Sequence, residues 1–369
     1  MSDLVAFLKE LLALPGLSGH ETPAMQAIER QWAPLTDSRQ VSRVGSLEAL
    51  KKAPDVELRR SARAQLDSPS TDESRPPRIL LAAHMDAIGM MVSSVVDGFL
   101  SFTRVGGVDP RVLPGQPVLV HGREPLPGVV VQPPDHLAPP EIRGKPAPLD
   151  RLWVDVGRTA EETARLVRPG DLISYNTPPV ELSGELISGH TLDNRASVAA
   201  VTHCLELLSR RIHACDVYAV ATVQEEVSFA GGYTSAFGIR PDLAIAIDVC
   251  QAQGPGTSEA HIARLGSGAV ISKGPNIHPY IQRALRETAE RCEIAHINRG
   301  MPLHSGTDAY PMQVTAGGIP TGVISIPLRY MHTPVEVVSL KDIRRVGRLL
   351  AEFITTLDRA FVDNITWED

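Results

Sequence analysis

Residues 216–232 read DVYAVATVQEEVSFAGG, and the way this stretch ends decides the fold and the chemistry. DVYAVATV is a continuous apolar run of strand length, the pattern of a strand covered on both faces in a parallel sheet. It runs into two adjacent glutamates, Glu225 and Glu226. Successive side chains of a strand point to opposite faces, so extended backbone here sends the two carboxylates into different environments. Two solvated carboxylates at a strand end account for an isolated pair, because carboxylates are mostly exposed. The other strand ends decide between these readings.

Three further runs are of the same kind. RILLAAH (78–84) leads into His84 and Asp86, DLAIAI (242–247) into Asp248, and TGVISIPLRYM (321–331) into His332. Between them lie helical patterns: Val198, Val201, Leu205 and Leu208 in one segment, and Leu340, Ile343, Val346, Leu350, Phe353 and Leu357 in the last. At the N-terminus, Leu4, Phe7, Leu8, Leu11 and Leu12 share a helix face that stops at Pro15-Gly16, and a second helix carries Met25, Ile28 and Trp32. Strands alternating with helices predict a three-layer α/β domain. From 92 to 182 the texture changes to short β-like runs (QPVLVHG, PGVVVQ, RLWVDVG, DLISYN) punctuated by Gly and Pro. The expected organisation is an α/β domain formed by 1–91 and 183–369, interrupted by a small β-rich insert, 92–182. Residues 53–77, rich in charge, Ser and Pro, read as a surface insertion that is at least partly mobile.

Composition narrows the function classes. The chain has 369 residues, 43% hydrophobic and 21% charged, with a net charge of −7, a balance that argues against a nucleic-acid partner. The N-terminal SDLVAFLKELLALPG lacks a basic n-region and is broken by Lys9 and Glu10, so it reads as an amphipathic helix, and no run is long enough to span a membrane. Four widely spaced cysteines, without a CxxC pair, fit a reducing, cytoplasmic location, with Cys250 a small packed residue.

Parallel sheets bind ligands beyond the carboxyl ends of their strands, so His84, Asp86, Glu225, Glu226, Asp248 and His332 can converge in one crevice. Asp193, in HTLDNRAS just before a helix, joins them. Singly, each has an ordinary role: Asp193 as a helix cap, each histidine as a satisfied polar residue, Asp248 as a strand end. Together they concentrate anions that only cations can offset. Histidine with carboxylate suits zinc, cobalt or manganese rather than calcium or magnesium. A single catalytic zinc needs about three protein ligands, and five or six point to two metals.

HMDAIG, LDNR, QEEV with its following Gly pair, AIDV, SGTDA and RYMHTPVE resemble, in order and over nearly the whole chain, the motifs of the tetrahedral aminopeptidases and glutamyl aminopeptidases. These are dinuclear metallopeptidases of the zinc-exopeptidase superfamily. The resemblance implies that Asp193 bridges two divalent metal ions, zinc first among the candidates. His84 and Asp248 complete one site, and Glu226 and His332 the other. Asp86 then orients the His84 imidazole, and Glu225 is the general base. It further implies peptide substrates with a free N-terminus, a dimerisation role for the β-rich insert, and a homododecamer of six dimers. Thr307 and Asp308 are expected in the pocket wall. Ala87, where many relatives have Glu, and Ser228, where many have Gly, depart from the pattern, and 53–77 is longer than the family's usual turn. The rivals are a deacylase or carboxypeptidase of the same superfamily and a metal-free scaffold. A glycosidase would rely on two carboxylates across the bond without a metal pair.

Overall fold

A computed structural model describes residues 3–54, 75–137, 139–140, 143–257 and 262–367. Most of the polar stretch 53–77 therefore lies outside the described residues. In chain order the strands are β1 (Ser38–Val41), β2 (Leu47–Lys51), β3 (Arg78–His84), β4 (Gly89–Val96), β5 (Phe99–Val105) and β6 (Pro117–His121). Then follow β7 (Pro125–Val131), β8 (Trp153–Asp155), β9 (Leu172–Tyr175), β10 (Val180–Leu182), β11 (Leu186–Gly189) and β12 (Asp216–Thr222). Last come β13 (Leu243–Gln251), β14 (Ala269–Lys273), β15 (His296–Gly300), β16 (Thr321–Arg329) and β17 (Glu336–Ser339).

An 11-stranded mixed sheet runs β1-β2-β12-β3-β13-β16-β17-β11-β10, with β14 pairing both β16 and β15. Its centre, β12, β3, β13 and β16, is parallel. The apolar runs have a direct cause. Ile79, Leu81, Ile245 and Ile247 pack into one core with Leu8, Trp32, Val198, Leu205, Ile343 and Phe353. Their neighbours Leu80, Ala82, Ala244 and Ala246 pack into a second with Val220, Ala236, Met312 and Val323. Each strand feeds two cores by alternation, so apolar residues run nearly unbroken along it. The helices Leu4–Ala13, Leu192–Leu208 and Leu340–Ile354 cover the first face, and Ala230–Ile239 and Ala309–Gln313 the second. This is a three-layer domain. Within its large core the Trp32 indole N–H donates to Thr202 Oγ1 at 2.8 Å.

The β-rich insert is a closed six-stranded antiparallel barrel, β4-β5-β8-β7-β6-β9, with its own core of Met90, Leu100, Phe102, Val118, Val120, Val154 and Ile173. Closure leaves it no free strand edges. It also carries one helix, Ala160–Leu166, started by a Thr159–Glu162 capping box. Barrel strands run from Gly89 to Tyr175, so the expected limits of 92 and 182 move. Residues 180–182 form β10, which pairs with β11 of the large sheet. All three β10 residues are exposed, and an exposed strand carries no burial pattern to say which sheet it joins. Where the two domains meet, Gly89 leaves room: a Cβ there would lie 2.5 Å from Leu17 Cδ2 and 2.9 Å from the Ile173 carbonyl.

Candidate metal centre

The parallel strands deliver the site. β3 ends on His84, and Thr222, the last residue of β12, pairs with it in register. Gln224 then turns into left-handed backbone at φ 57°, and Glu225–Ser228 form a single helical turn. The two glutamates are thus not strand residues, which corrects the alternation expected from sequence. They diverge because neighbours on a helix are rotated by about 100°. Asp86 holds this turn: its carboxylate accepts the Glu225 N–H at 3.0 Å and the Glu226 N–H at 3.2 Å. The same carboxylate lies 3.4 Å from His84 Nδ1. Asp248 sits within β13, and His332 follows β16 with φ 63°.

Asp193 and Asn194 interrupt the start of the helix Leu192–Leu208 with non-helical backbone, joined by a cis peptide bond. The N-cap position is Thr191, so the cap role open to Asp193 from sequence is not the one it takes. Asn194 Nδ2 donates to the Ile247 carbonyl at 2.8 Å, tying this break to β13.

Asp193 faces both histidines. Its Oδ1 is 3.2 Å from His84 Nε2, and its Oδ2 is 3.4 Å from His332 Nε2. On the first side, Asp248 Oδ1 lies 3.9 Å from His84 Nε2, and on the second, Glu226 Oε1 lies 3.4 Å from His332 Nε2. Two ligand atoms of one tetrahedral zinc, each about 2.1 Å from it, stand about 3.4 Å apart. The donor set fits: His84, Asp193 and Asp248 form one group, and Asp193, Glu226 and His332 another, with ligand atoms within 4.8 Å in each. Glu225 Oε2 is 3.8 Å from His84 Nε2, as near as Asp248, so His84, Glu225 and Glu226 also group. All seven residues singled out from sequence therefore meet in one place.

Charge at the cluster is out of balance. Burial pushes the Glu225 carboxyl up to about 10, helped by Asp248, Asp308 and Glu226 against the opposing pull of His84. Burial likewise raises Glu226 and Asp248. Hydrogen bonds that His332 donates to the Asp193 and Glu226 carboxylates lift its imidazole to about 11. Burial works against a charged His84, yet Glu225, Asp193 and Asp86 raise it well above the ordinary imidazole range. Asp193, between two imidazoles, is lowered to about 2 despite its burial. Without cations the cluster must hold protons, and deprotonated ligands are what a metal requires.

Several residues that hold the loops of the cluster were not singled out from sequence. Glu336 is 2% exposed, and its two oxygens accept the Asp193 N–H (3.1 Å) and the His332 N–H (2.9 Å), joining the loops of both candidate ligands. Arg195 is fully buried and donates to the carbonyls of Met85 (3.3 Å), Leu14 (2.6 Å) and Leu11. Glu21 accepts the N–H of Gln224 at 3.2 Å. Arg195 and Glu336 both stand inside quoted motifs, two and four residues from a ligand candidate, which was the available signal. Thr307 and Asp308, expected in the pocket wall, lie in the loop that leads into the helix Ala309–Gln313. Thr307 Oγ1 accepts the Ala309 N–H, and Asp308 is buried against Thr222 and Gly232. A narrow cavity beside Asp193 and His332 is lined by Ala87, Ile88, Tyr175 and His190, so the barrel's last strand contributes to the site.

Comparison with known proteins agrees with this geometry. Residues 68–349 match the M42 glutamyl aminopeptidase family. A lysyl aminopeptidase of Pyrococcus furiosus is 33% identical over 286 residues, 76% of this chain and 82% of that protein. The crystal structure of a TET aminopeptidase from the marine sediment archaeon Thaumarchaeota archaeon SCGC AB-539-E09 superposes with a TM-score of 0.89 at 28% identity, covering 98% of this chain and 99% of that one. The TET1 peptidase of Pyrococcus horikoshii, described as assembling into a tetrahedron or a large octahedral shell, gives 0.79 at 27% identity over 96% and 100%. A zinc-exopeptidase-like α/β domain, an inserted barrel and a His/carboxylate cluster at the parallel strand ends go with these matches: the chain belongs to the M42 glutamyl aminopeptidase family of peptide-bond hydrolases.

Proposed function

We propose that this protein is an aminopeptidase that works with two divalent metal ions and releases the N-terminal residue of peptides. The observation that carries the reading is Asp193, whose two carboxylate oxygens face different histidines, as a bridging ligand requires. His84, Asp193 and Asp248 would hold one ion, and Asp193, Glu226 and His332 the other. The donor chemistry suits zinc, cobalt or manganese. Such a pair supplies Lewis acidity to a scissile carbonyl and a nucleophilic water at neutral pH.

The chain's own groups do the rest. Glu225, held protonated by burial and its anionic neighbours, regains its charge when cations replace protons in the cluster. It then takes a proton from the attacking water and returns it to the leaving nitrogen, a role typically worth about 10²–10⁴-fold. Asp86 orients the His84 ring and anchors the Glu225–Glu226 turn, so one carboxylate sets both a ligand and the base.

The tetrahedron and the dodecamer described for TET1 structures support a homo-oligomer, which we read as a dodecamer of six dimers, and we assign the dimer contact to the barrel. Four free cysteines, three of them buried, suit the reducing cytoplasm. The test of substrate class is a panel of aminoacyl p-nitroanilides and their N-acetyl counterparts, offered to the metal-loaded enzyme. Cleavage confined to free amines is expected. Equal or faster cleavage of acetylated substrates would make the protein a deacylase.

A further inference from the structure

The segment PGLSGHE (15–21) lies between the N-terminal helices and contacts both loops that carry the proposed chemistry. Leu17 forms a parallel bridge with Ala87, and the Ser18 N–H donates to the Ala87 carbonyl at 3.3 Å. Ser18 Oγ donates to Asp86 Oδ2 at 2.6 Å, the oxygen that also accepts the Glu226 N–H. Three residues on, Glu21 Oε1 accepts the Gly19 N–H at 2.7 Å and the Gln224 N–H at 3.2 Å. Glu21 is 6% exposed, so its carboxylate is committed to these donors rather than to water. Gln224 is the left-handed residue that turns the chain from β12 into the Glu225–Glu226 turn.

The segment is itself anchored. Arg195, two residues from Asp193, reaches the carbonyls of Leu11 and Leu14 on one side and of Met85 on the other. Gly16 makes room for that guanidinium: a Cβ there would fall 2.4 Å from Arg195 Nη2. Gly19, at φ +85°, supplies the reversal that lets Ser18 and Glu21 face the two site loops.

We infer that residues 16–21 form a strap that positions the catalytic turn, with Ser18 and Glu21 as positioning residues acting through Asp86 and Gln224. The inference rests on the reading that Glu225 and Glu226 carry the chemistry. Three consecutive N–H groups, those of Gln224, Glu225 and Glu226, are taken by two carboxylates, and the strap bonds one carboxylate and supplies the other. Base and ligand are therefore aimed by a segment more than sixty residues away in sequence from Asp86. Geometry held by such outer groups is what sets reactivity in a site of this kind.

The test uses the whole 369-residue chain with Ser18→Ala, Ser18→Thr, Glu21→Ala and Glu21→Gln. Each is assayed on the aminoacyl p-nitroanilide that wild type cleaves fastest, and by hydrogen exchange of a peptide spanning residues 223–229, with metal and after chelation. A bond to a charged acceptor is lost in each alanine variant, so kcat should fall about tenfold or more with KM within about twofold. Exchange of the 223–229 amides should accelerate in both metal states while the central strands stay protected. Ser18→Thr keeps a hydroxyl donor and Glu21→Gln keeps an acceptor oxygen, so both should restore most of the turnover and the protection.

Alanine variants with wild-type kcat and wild-type exchange overturn the inference, as does a loss of kcat with unchanged exchange at 223–229. If Glu21→Ala fails to fold, the Ser18 pair decides alone. Glu225→Gln run alongside separates the two ideas. Full turnover in that variant would remove Glu225 as the base, while the exchange data would still show whether the strap holds the turn.

Discussion

Replacing Glu336 with glutamine tests how tightly the cluster depends on a residue that touches no proposed metal position. Glu336 is buried, and each of its oxygens accepts one backbone N–H, from Asp193 and from His332. Glutamine matches its shape but offers one acceptor oxygen, and its amide nitrogen would face the other N–H donor to donor. One buried N–H is then left without a partner, at a cost of about 1–3 kcal/mol. That cost falls on the arrangement of Asp193 and His332, both of which belong to the Asp193–Glu226–His332 group. Metal affinity at that site should therefore fall by about 10–100-fold, the range seen when groups that hold ligands are changed. Affinity at the His84–Asp248 side should fall less, because Asp193 is its only member bonded to Glu336. Competition with a chelating dye, read as two binding steps, measures both affinities. Wild-type affinity at both steps in a folded Glu336→Gln protein would refute the reasoning.

Three further outcomes are expected. Exhaustive chelation should abolish activity, and zinc, cobalt or manganese should restore it; full activity in protein shown metal-free by elemental analysis would contradict the metal assignment. The chelated protein should lose thermal stability as pH rises from about 6 to about 9. Burial pushes the folded Glu225 carboxyl up to about 10, and its carboxylate partners lift His332 to about 11, whereas in the unfolded chain both groups release their protons near the ordinary carboxyl and imidazole values. The folded state thus binds more protons across that window, and a melting temperature that climbs with pH would contradict it. Replacing residues 90–174 with a short linker should convert the assembly to monomers in sedimentation; a surviving dodecamer would rule out the barrel as the dimer contact.

Much of this was legible because strands buried on two faces announce themselves. In RILLAAH the alternate residues enter two different cores, so the first polar positions afterwards, His84 and Asp86, had to mark the strand end. The same logic found His332 beyond β16, whereas Asp248 marked the end of an apolar run and not of its strand, since β13 continues to Gln251. That logic reached Glu225 and Glu226 for an incomplete reason, since the left-handed backbone at Gln224, not strand alternation, sets their directions. Nothing in QEEV encodes that turn locally: it is held by Asp86 and Glu21, far away along the chain. Glu336 escaped notice because its partner N–H at Asp193 is 143 residues distant. The sheet membership of β10 was hidden by its exposure, and the pocket contribution of Tyr175 by its place in the barrel.

If Glu226 holds a metal while its neighbour Glu225 moves a proton, glutamine at each position should have a different consequence. Glu225→Gln and Glu226→Gln are each examined for metal stoichiometry by native mass spectrometry and for turnover at several metal concentrations. Glu225→Gln should keep both metals, with KM little changed and kcat reduced by about 10²-fold or more. Glu226→Gln should lose one metal at low concentration and recover part of its activity as metal is raised. A Glu225→Gln protein short of one metal, beside a Glu226→Gln protein that keeps two, would mean the roles are exchanged. Two variants with full metal content and full turnover would contradict the account.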